Sequence, residues 1–479
     1  MEYIENSHFG KDKPEEECGV FGCYSSSPFD ASGVTYYGLY SLQHRGQESA
    51  GIAASNGEGI SVAKGMGLVS EVFSREKLAS IKGDSAIGHV RYSTTGNSDL
   101  KNAQPLDAET KLGPLSISHN GNIVNADTLR DLLEDTGSLF QTSSDSEVIL
   151  GLIARSYKKG LVQAVSDAAN TIQGSYAIII LANDCIVCAR DRNGIRPLCI
   201  GKLDDAWIFA SESCALDTIG AEFIRDVKPG EIVIADKDGL RSVNNLERTS
   251  CQTCSFEYIY FARPDSVIDE IDVYEMRRRS GERLFDECPV EADIISGVPD
   301  SGIPAAVGYS KKSGIPYEMT LIKNKYVGRT FISPSQELRE KAVNVKLNVM
   351  KNSVKGKRVV LIDDSVVRGT TSRKLVEMYR EAGASEVHLR VASPPVVYPC
   401  YFGIDTPYRS ELLGSEGSIE AMNKIIGADS LGYISREGLL SSLGGEENFC
   451  LGCFTGVYPV AAQIGRGKEV MANEKKRDD

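Results

Sequence analysis

Two adjacent carboxylates, Asp363 and Asp364, follow directly after the apolar run of residues 359–362. Such a run suits a buried parallel strand, and the hydroxyl-rich turn of residues 365–371 leads from it into a segment with apolar residues at helical spacing. Ligands of open α/β sheets bind at the carboxyl ends of strands, and the N–H groups at a helix N-terminus bind phosphate. Paired carboxylates beside them suit ribose hydroxyls or a magnesium ion. The sequence therefore predicts a phosphoribosyl site.

The same segment closely resembles the phosphoribosyl-pyrophosphate (PRPP) motif of the phosphoribosyltransferases. This resemblance implies that the backbone of the turn binds the 5-phosphate of PRPP and that the two carboxylates hold the ribose hydroxyls and a magnesium ion. An ordinary acidic turn after a core strand is the structural alternative. The PRPP-binding residues implied in this segment are Asp363, Asp364, Ser365, Arg368, Gly369, Thr370 and Thr371.

Two further segments extend the predicted site. Residues 292–304 are typical of a strand that runs into a Pro- and Gly-containing loop. By resemblance this loop binds pyrophosphate, and Ser301 joins the two carboxylates around the magnesium ion. Residues 323–331 begin a basic, polar stretch that resembles the family's flexible loop, which implies a lid that closes over the pyrophosphate; a solvated loop is the alternative. The lid contacts implied are Lys325, Tyr326 and Arg329.

The N-terminal half offers a candidate nucleophile at Cys18. An acidic, Pro-containing leader of 17 residues precedes it, and the sequence turns apolar after it. If the leader were removed, Cys18 would combine a thiol with its own base, the free α-amine, whose pKa lies near neutrality. A buried structural cysteine in a first strand is the commoner case, so this residue alone does not decide the function.

Four short polar clusters beside strand-like sequence favour a catalytic Cys18 over a structural one. They lie at residues 42–52, 88–96, 118–123 and 143–147. Together they resemble, in their order and spacing, the glutaminase domain of the class II, N-terminal-nucleophile amidotransferases. Because an N-terminal nucleophile supplies its own base, we interpret the histidines inside these clusters as structural: His44, His89 and His119.

This resemblance assigns catalytic roles to particular residues. Cys18 would attack the side-chain amide of glutamine, and the Asn120 side chain and the Gly121 N–H would hold the tetrahedral oxyanion. Arg91 would pair with the α-carboxylate of the substrate, for which its planar fork is suited, and Asp145 would hold the α-ammonium. By resemblance Arg45 also lines this pocket, so the glutamine-binding residues implied are Arg45, Arg91 and Asp145.

Together the two halves resemble one family, the glutamine phosphoribosylpyrophosphate amidotransferases, over residues 18–455. This implies that glutamine is hydrolysed at Cys18 and that the ammonia attacks C1 of PRPP, giving 5-phosphoribosylamine, glutamate and pyrophosphate in the first step of de novo purine biosynthesis. It also implies a homotetramer and inhibition by AMP and GMP. Two alternatives are a glutaminase joined to another acceptor enzyme, which the PRPP motif disfavours, and a noncatalytic regulator that binds PRPP or purines.

The twelve cysteines include three C-x-x-C pairs. The pair Cys185/Cys188 lies in an apolar run and is interpreted as core, whereas Cys450/Cys453 lies in a short Gly-containing segment. Four thiolates from separated segments suit zinc or an iron–sulfur cluster. One subset of the resembled family carries a [4Fe–4S] cluster and a short leader before the catalytic cysteine; a structural zinc ion on the same thiols is the alternative. By resemblance the cluster ligands map onto Cys254, Cys400, Cys450 and Cys453. Cys251, although it forms a C-x-x-C pair with Cys254, is then not a ligand.

The length of 479 residues is enough for two domains and a third, smaller one. We expect a cleaved propeptide at residues 1–17, then a class II glutamine amidotransferase domain at 18–255 with the α+β fold of N-terminal-nucleophile hydrolases, an αββα sandwich. An α/β phosphoribosyltransferase domain with a mostly parallel sheet should come next, at 256–440. The remaining residues, 441–479, should carry cluster ligands and a charged tail.

Composition limits the classes of partner. The formal net charge of -13 disfavours nonspecific binding to nucleic acid. No apolar run approaches the roughly 20 residues that a membrane span needs, and the acidic N-terminus does not have the pattern of a secretory signal. We therefore expect a cytoplasmic protein whose cysteines are thiols or metal ligands rather than disulfides.

Overall fold

Antiparallel strands dominate the N-terminal half. The computed structural model describes residues 18–92, 99–243, 246, 250–324, 347–406, 408–445 and 447–461. The described strands of this half are β1 (Gly19–Tyr24), β2 (Ser49–Ser55), β3 (Ile60–Met66), β4 (Ser85–Arg91), β5 (Leu106–Thr110), β6 (Gly113–Ile123), β7 (Gly174–Leu181), β8 (Cys185–Arg190), β9 (Cys199–Leu203), β10 (Ala206–Ala210), β11 (Glu222–Asp226), β12 (Ile232–Asp236) and β13 (Gly239–Val243). Its described α-helices are α1 (Ala31–Ser41), α2 (Val69–Val72), α3 (Arg75–Ala79), α4 (Ala126–Asp135), α5 (Asp145–Arg155), α6 (Leu161–Thr171) and α7 (Ser213–Ile219).

These strands form two sheets that pack face to face. The first has the order β11-β9-β10-β1-β4-β2-β3, and the second has the order β13-β12-β8-β7-β6-β5. Side chains alternate between the two faces of a strand, so each sheet turns one row of apolar side chains toward the other. These inner side chains include Val20, Ile87, Ile179, Phe209 and Val233, all fully buried. Burial of each contributes roughly 1.5–3 kcal/mol, which holds the two sheets together.

Helices cover the outer faces of both sheets. Leu39 of α1 and Leu216 of α7 pack in the core outside the first sheet. Leu133, Ile149 and Val165, from α4, α5 and α6, pack in the core outside the second. The αββα sandwich expected from the sequence is therefore confirmed.

The C-terminal half alternates strands with helices. Its described strands are β14 (Thr253–Cys254), β15 (Val267–Ile268), β16 (Ile271–Asp272), β17 (Ile294–Gly297), β18 (Leu321–Lys323), β19 (Leu347–Val349), β20 (Arg358–Asp363), β21 (Glu386–Val391), β22 (Ser430–Tyr433) and β23 (Phe449–Cys450). Its described α-helices are α8 (Val273–Glu287), α9 (Ile303–Ser313), α10 (Lys351–Val354), α11 (Thr370–Glu381), α12 (Ile419–Ile426), α13 (Arg436–Ser442) and α14 (Gly452–Thr455). A π-helix, Glu257–Phe261, precedes α8.

A parallel sheet with the order β17-β20-β21-β22 forms the centre of this half. Val360 and Ile362 share a core with side chains of α8, α9 and α13, whereas Val359 and Leu361 share a core with α11 and α12. Because both faces of the sheet are covered, the central strand β20 is apolar on both of its faces from Val359 to Ile362. The expected α/β domain with a mostly parallel sheet is confirmed.

The register of this sheet brings two loops together. Gly297, the last residue of β17, pairs with Ile362 of β20. The carboxyl ends of these parallel strands therefore meet at one edge of the sheet, where residues 298–302 and 363–369 are neighbours.

The start and the end of the C-terminal half also meet, since β14 pairs with β23 in parallel. The domain boundaries expected from the sequence stay predictions. The leader of residues 1–17 and the predicted lid contacts Lys325, Tyr326 and Arg329 lie outside the described residues. Across the ranges that the structure covers, no helix combines the length and the apolar character that a membrane crossing requires.

Candidate active sites

Cys18 stands directly before β1, at one end of the first sheet. Its thiol donates a hydrogen bond to the carbonyl oxygen of Tyr92 over 3.5 Å. Burial raises the pKa of this thiol to about 11, although the Tyr92 hydrogen bond and the charge of Arg91 act in the opposite direction. A thiol with such a pKa is protonated near neutrality, so a nucleophilic Cys18 needs a base to take its proton.

The neighbouring sheet supplies a buried hydrogen-bond donor. Asn120, on β6, is 1% exposed, and its side-chain nitrogen Nδ2 has no hydrogen-bond partner among the described residues. Gly121 comes next with φ +141°, and a Cβ at this position would lie 2.1 Å from the carbonyl oxygen of Ser175. Buried hydrogen-bond donors are nearly always paired. The unpaired Asn120 amide, next to a position that only glycine fits, therefore indicates that a ligand supplies the acceptor.

Asp145 and Arg91 add opposite charges to the same region, since both act on the Cys18 thiol. Asp145 begins α5, and its Oδ2 accepts a hydrogen bond of 3.0 Å from the N–H of Ile123. Burial acts to raise the pKa of Asp145, but the charge of His119 and the hydrogen bonds to the carboxylate outweigh it and lower the pKa. Arg91 ends β4 and pairs with Glu48 at 2.8 Å. A zwitterionic amino acid is complementary to such a pair of charges.

Two of the histidines in the polar clusters hold neighbouring segments. Nε2 of His89 lies 3.0 Å from the carbonyl oxygen of His119, and burial lowers the pKa of His89 to about 3. Nδ1 of His119 lies 3.1 Å from Oγ of Ser146. His89 is therefore neutral near physiological pH, which suits a structural contact.

Arg45 joins Cys18 to the second half of the protein. Its side chain is fully buried; Nε donates to the carbonyl oxygen of Cys18 over 3.1 Å, and Nη1 and Nη2 donate to Glu257 over 2.9 and 2.8 Å. Nη1 also contacts Glu212 at 2.5 Å, and Arg196 approaches Glu257 to 3.3 Å. In the structure the guanidinium of Arg45 binds two carboxylates, those of Glu212 and Glu257. A contact of Arg45 with glutamine therefore stays a prediction. Sequence reasoning missed Glu212 and Glu257 as its partners, and no motif spacing signals them.

A loop of the second half also contacts the strand that carries Asn120. Nδ2 of Asn122 donates to the carbonyl oxygen of Tyr401 over 2.9 Å. Oγ of Ser175, on the neighbouring strand β7, donates to the carbonyl oxygen of Phe402 over 2.8 Å. The backbone next to Cys400 is thereby attached to the sheet that carries Asn120.

The predicted phosphoribosyl site is assembled at the edge where β17 and β20 end. Asp363 and Asp364 are almost fully buried; the N–H of Asp364 donates to Oδ1 of Asp363 over 3.0 Å, and Oγ of Ser365 donates to Oδ2 of Asp364 over 3.2 Å. Ser301 and Asp364 line one small cavity. The structure therefore brings Ser301 and Asp364 to one cavity, and Asp363 directly precedes Asp364. Oxygen donors of this kind are those that Mg²⁺ prefers.

The turn after these carboxylates ends at the amino end of a helix. Gly369 has φ +80°, a left-handed conformation that favours glycine, and α11 begins at Thr370 and continues through Thr371. Arg368 contacts Glu411 at 3.1 Å. The N–H groups at the start of α11 suit a phosphate, as the sequence predicts.

The four cysteines proposed as cluster ligands converge near the junction of the two halves. Cys254 and Cys450 are in register in the β14–β23 pair. Burial, reinforced by the nearby Cys450 and Cys400, raises the pKa of Cys453. Burial raises the pKa of Cys450 to about 12. Within the described ranges, no three His, Cys, Asp or Glu side chains stand in an arrangement that could hold a metal ion. The thiols are neighbours, but a metal geometry is not formed.

Two domain profiles match the chain. The glutamine amidotransferase domain matches residues 89–218, and the phosphoribosyl transferase domain matches residues 275–393. The first region contains Asn120, Gly121 and Asp145, and the second contains Ser301, Asp363 and Asp364. Both predicted domain types are thus recognised on this chain.

Curated relatives align with nearly the whole chain. The amidophosphoribosyltransferase of Bacillus subtilis (strain 168) is 50% identical over 450 residues, which cover 93% of this chain and 94% of the relative. The amidophosphoribosyltransferase of Archaeoglobus fulgidus is 50% identical over 449 residues, which cover 93% of this chain and 98% of the relative.

Solved structures agree in fold. A glutamine PRPP amidotransferase from B. subtilis complexed with ADP and GMP superimposes with a TM-score of 0.89 and 49% identity, covering 93% of this chain and 98% of that one. A structure described as the allosteric regulatory enzyme of purine biosynthesis gives a TM-score of 0.90 at 49% identity, covering 93% and 97%. The chain belongs to the amidophosphoribosyltransferases, which use the amide nitrogen of glutamine to convert PRPP into 5-phosphoribosylamine in purine biosynthesis.

Proposed function

We propose that glutamine is hydrolysed at Cys18 after removal of residues 1–17, with the freed α-amine of Cys18 as the base. The raised pKa of the thiol supports this need for a base, and an α-amine titrates near neutrality. The sulfur attacks the amide carbon of glutamine, and its proton passes through the amine to the departing nitrogen. Ammonia leaves, and water then cleaves the thioester to give glutamate.

The unpaired Nδ2 of Asn120 is the observation that carries this proposal. Together with the N–H of Gly121 it would donate to the oxyanion of the tetrahedral intermediate, a contribution of roughly 3 kcal/mol per donor. Arg91 and Asp145 would hold the α-carboxylate and the α-ammonium of glutamine. Arg45 would position the main chain of Cys18, and its predicted contact with the substrate remains part of the proposal.

At the second site, ammonia would attack C1 of PRPP, so that a C–N bond forms while the bond from C1 to the pyrophosphate oxygen breaks. Ser301, Asp363 and Asp364 would hold Mg²⁺, which supplies charge stabilisation for the leaving pyrophosphate when it is bound. Positioning is the main requirement of such a centre. The remaining PRPP contacts proposed are Ser365, Arg368, Gly369, Thr370 and Thr371 and, outside the described residues, Lys325, Tyr326 and Arg329.

We also propose that Cys254, Cys400, Cys450 and Cys453 hold a [4Fe–4S] cluster. Four thiols that converge from separated segments fit this group in donor type and number, and their burial within or against one apolar core supports a structural role. Ligation requires thiolates, so binding would displace protons. A zinc ion on the same thiols is the alternative.

Regulation and assembly are further parts of the proposal. The B. subtilis structure was solved with ADP and GMP, which supports inhibition of this enzyme by purine nucleotides, AMP and GMP among them. A homotetramer in the cytoplasm, with a propeptide at 1–17 and domains at 18–255, 256–440 and 441–479, completes the expectation from the sequence.

The replacement Cys18→Ala tests the division of labour between the two sites. The variant should form no glutamate from glutamine but should still release pyrophosphate from PRPP when ammonium salts are supplied at alkaline pH, because the second site is built from other residues. Glutamate release at the wild-type rate would contradict the role of Cys18. Loss of both reactions from a folded variant would contradict the separation of the sites.

A further inference from the structure

A π-helix, Glu257–Phe261, lies between the two proposed sites. Its first residue, Glu257, is fully buried and is held by Arg45, which also contacts the carbonyl oxygen of Cys18. Ala262 closes the helix by donating its N–H to the carbonyl oxygen of Glu257 over 2.9 Å. The third residue, Ile259, lines the small cavity that contains Ser301 and Asp364. π-helices are rare and occur mostly at functional sites, and this one connects the glutaminase nucleophile to the PRPP carboxylates.

Arg277, on α8, fixes both ends of that helix. The side chain is buried, with 4% of the residue exposed. Nε donates to the carbonyl oxygen of Tyr258 over 2.7 Å, and Nη2 donates to the carbonyl oxygen of Ala262 over 2.8 Å. Arg277 also lines the cavity that Ile259 shares with Asp364. One side chain therefore contacts the π-helix and lines the cavity that Ser301 and Asp364 share.

The charge of Arg277 has no ion-pair partner in the part of the chain that the structure describes. No carboxylate within the described ranges lies at ion-pair distance from its guanidinium. Burial lowers its pKa to about 10, and the charge of Asp364 opposes that change. Burying a cation without an ion-pair partner costs folding free energy. A long apolar side chain would fill this position at a lower cost, so packing alone does not explain an arginine here.

We propose that Arg277 is a positioning residue that holds the π-helix against the PRPP site, so that ammonia released at Cys18 reaches C1 of PRPP instead of escaping to water. The inference rests on the proposed roles of Cys18 and of the PRPP carboxylates. Two hydrogen bonds to main-chain carbonyls fix the helix, and the cavity behind it is where Ile259 faces Ser301 and Asp364. Displacing the helix would open this junction while the side chains of Cys18, Ser301 and Asp364 themselves are left unaltered.

The test compares Arg277→Met and Arg277→Lys with a matched control, Arg390→Met. Arg390 is likewise 4% exposed and donates to main-chain carbonyl oxygens, those of Cys288 and Leu389, at 2.8 and 3.0 Å, but it does not line the cavity. Glutamate and pyrophosphate would be measured in the same reaction mixtures with glutamine, PRPP and Mg²⁺. Ammonia-dependent pyrophosphate release would be measured in parallel, and thermal unfolding would establish that each variant is folded.

For Arg277→Met we expect glutamate release within about threefold of wild type but pyrophosphate formed per glutamate reduced by about tenfold or more, since small displacements of reacting groups carry such penalties. Arg277→Lys should recover part of that ratio, and Arg390→Met should keep the wild-type ratio even if it is less stable. An unchanged ratio in Arg277→Met, or an equal loss in Arg390→Met, would overturn the inference. If the wild-type protein forms glutamate and pyrophosphate together, the proposed function is upheld whatever the Arg277 variants do. If the wild-type protein forms neither product, the proposed function itself is refuted.

Discussion

Replacing Asn120 with alanine should lower the glutamine-dependent activity without lowering the free energy of unfolding. Its Nδ2 is buried without a partner among the described residues, so the truncation removes a donor that stabilises nothing in the free protein. If that donor serves the oxyanion, glutamine-dependent kcat should fall by about 10²- to 10³-fold, or roughly 3–4 kcal/mol of transition-state stabilisation. Ammonia-dependent pyrophosphate release should stay at the wild-type level, because the PRPP site does not include Asn120.

Asn102 provides a control with the same side chain. It is fully buried, and its amide exchanges two hydrogen bonds with Ser143, at 3.0 and 3.1 Å. Each such bond contributes about 0.5–1.5 kcal/mol, so Asn102→Ala should lower the free energy of unfolding by about 1–3 kcal/mol more than Asn120→Ala does. Urea unfolding and product assays on both variants would measure this. Asn120→Ala with glutaminase activity within tenfold of wild type, or with the same loss of stability as Asn102→Ala, would refute the reasoning.

Two other predictions concern the junction of the halves. Burial, reinforced by the charge of Asp269, raises the pKa of the Asp226 carboxyl group to about 7. The folded state therefore binds the proton of this carboxyl group more tightly than the unfolded state does. The stability that this proton contributes is complete below about pH 4 and is lost as the pH rises through 7. Asp226→Asn should flatten that part of the profile of melting temperature against pH, and equal slopes in both proteins would contradict the assignment. Cys400→Ser should purify anaerobically with less iron than wild type, whereas Cys251→Ser should keep its iron; equal iron in both would contradict the ligand set, and zinc in place of iron would favour the alternative.

Much of the site could be predicted because its chemistry is local in sequence. The apolar run before Asp363 and Asp364 predicts a buried strand, and the residues directly after a parallel strand lie at the binding edge of its sheet. The structure shows this arrangement, with β20 beside β17 and Ser301 on the adjacent loop. Gly121 is likewise explained by its own backbone, since φ +141° and the nearby Ser175 carbonyl exclude a Cβ.

The contacts between the halves could not be predicted in this way. Arg45 and Glu257 are 212 positions apart, and both lie in motifs whose residues suggest other roles. Only the packing of the two domains buries them together and makes each the counter-charge of the other. Arg277 is a similar case: its helix is arginine-rich in sequence, and no spacing distinguishes this buried arginine from Arg278, which is partly exposed and forms helical ion pairs with Glu275 and Glu282.

The central claim is that one chain couples hydrolysis at Cys18 to transfer at Asp363 and Asp364. The most direct measurement is the ratio of glutamate to pyrophosphate formed by anaerobically purified protein whose N-terminus has been shown by mass spectrometry to be Cys18, with glutamine and Mg²⁺, in the presence and absence of PRPP. Coupling predicts that both products form in equal amounts and mainly when PRPP is present. Protein that begins at Cys18 and forms no glutamate under these conditions would contradict it.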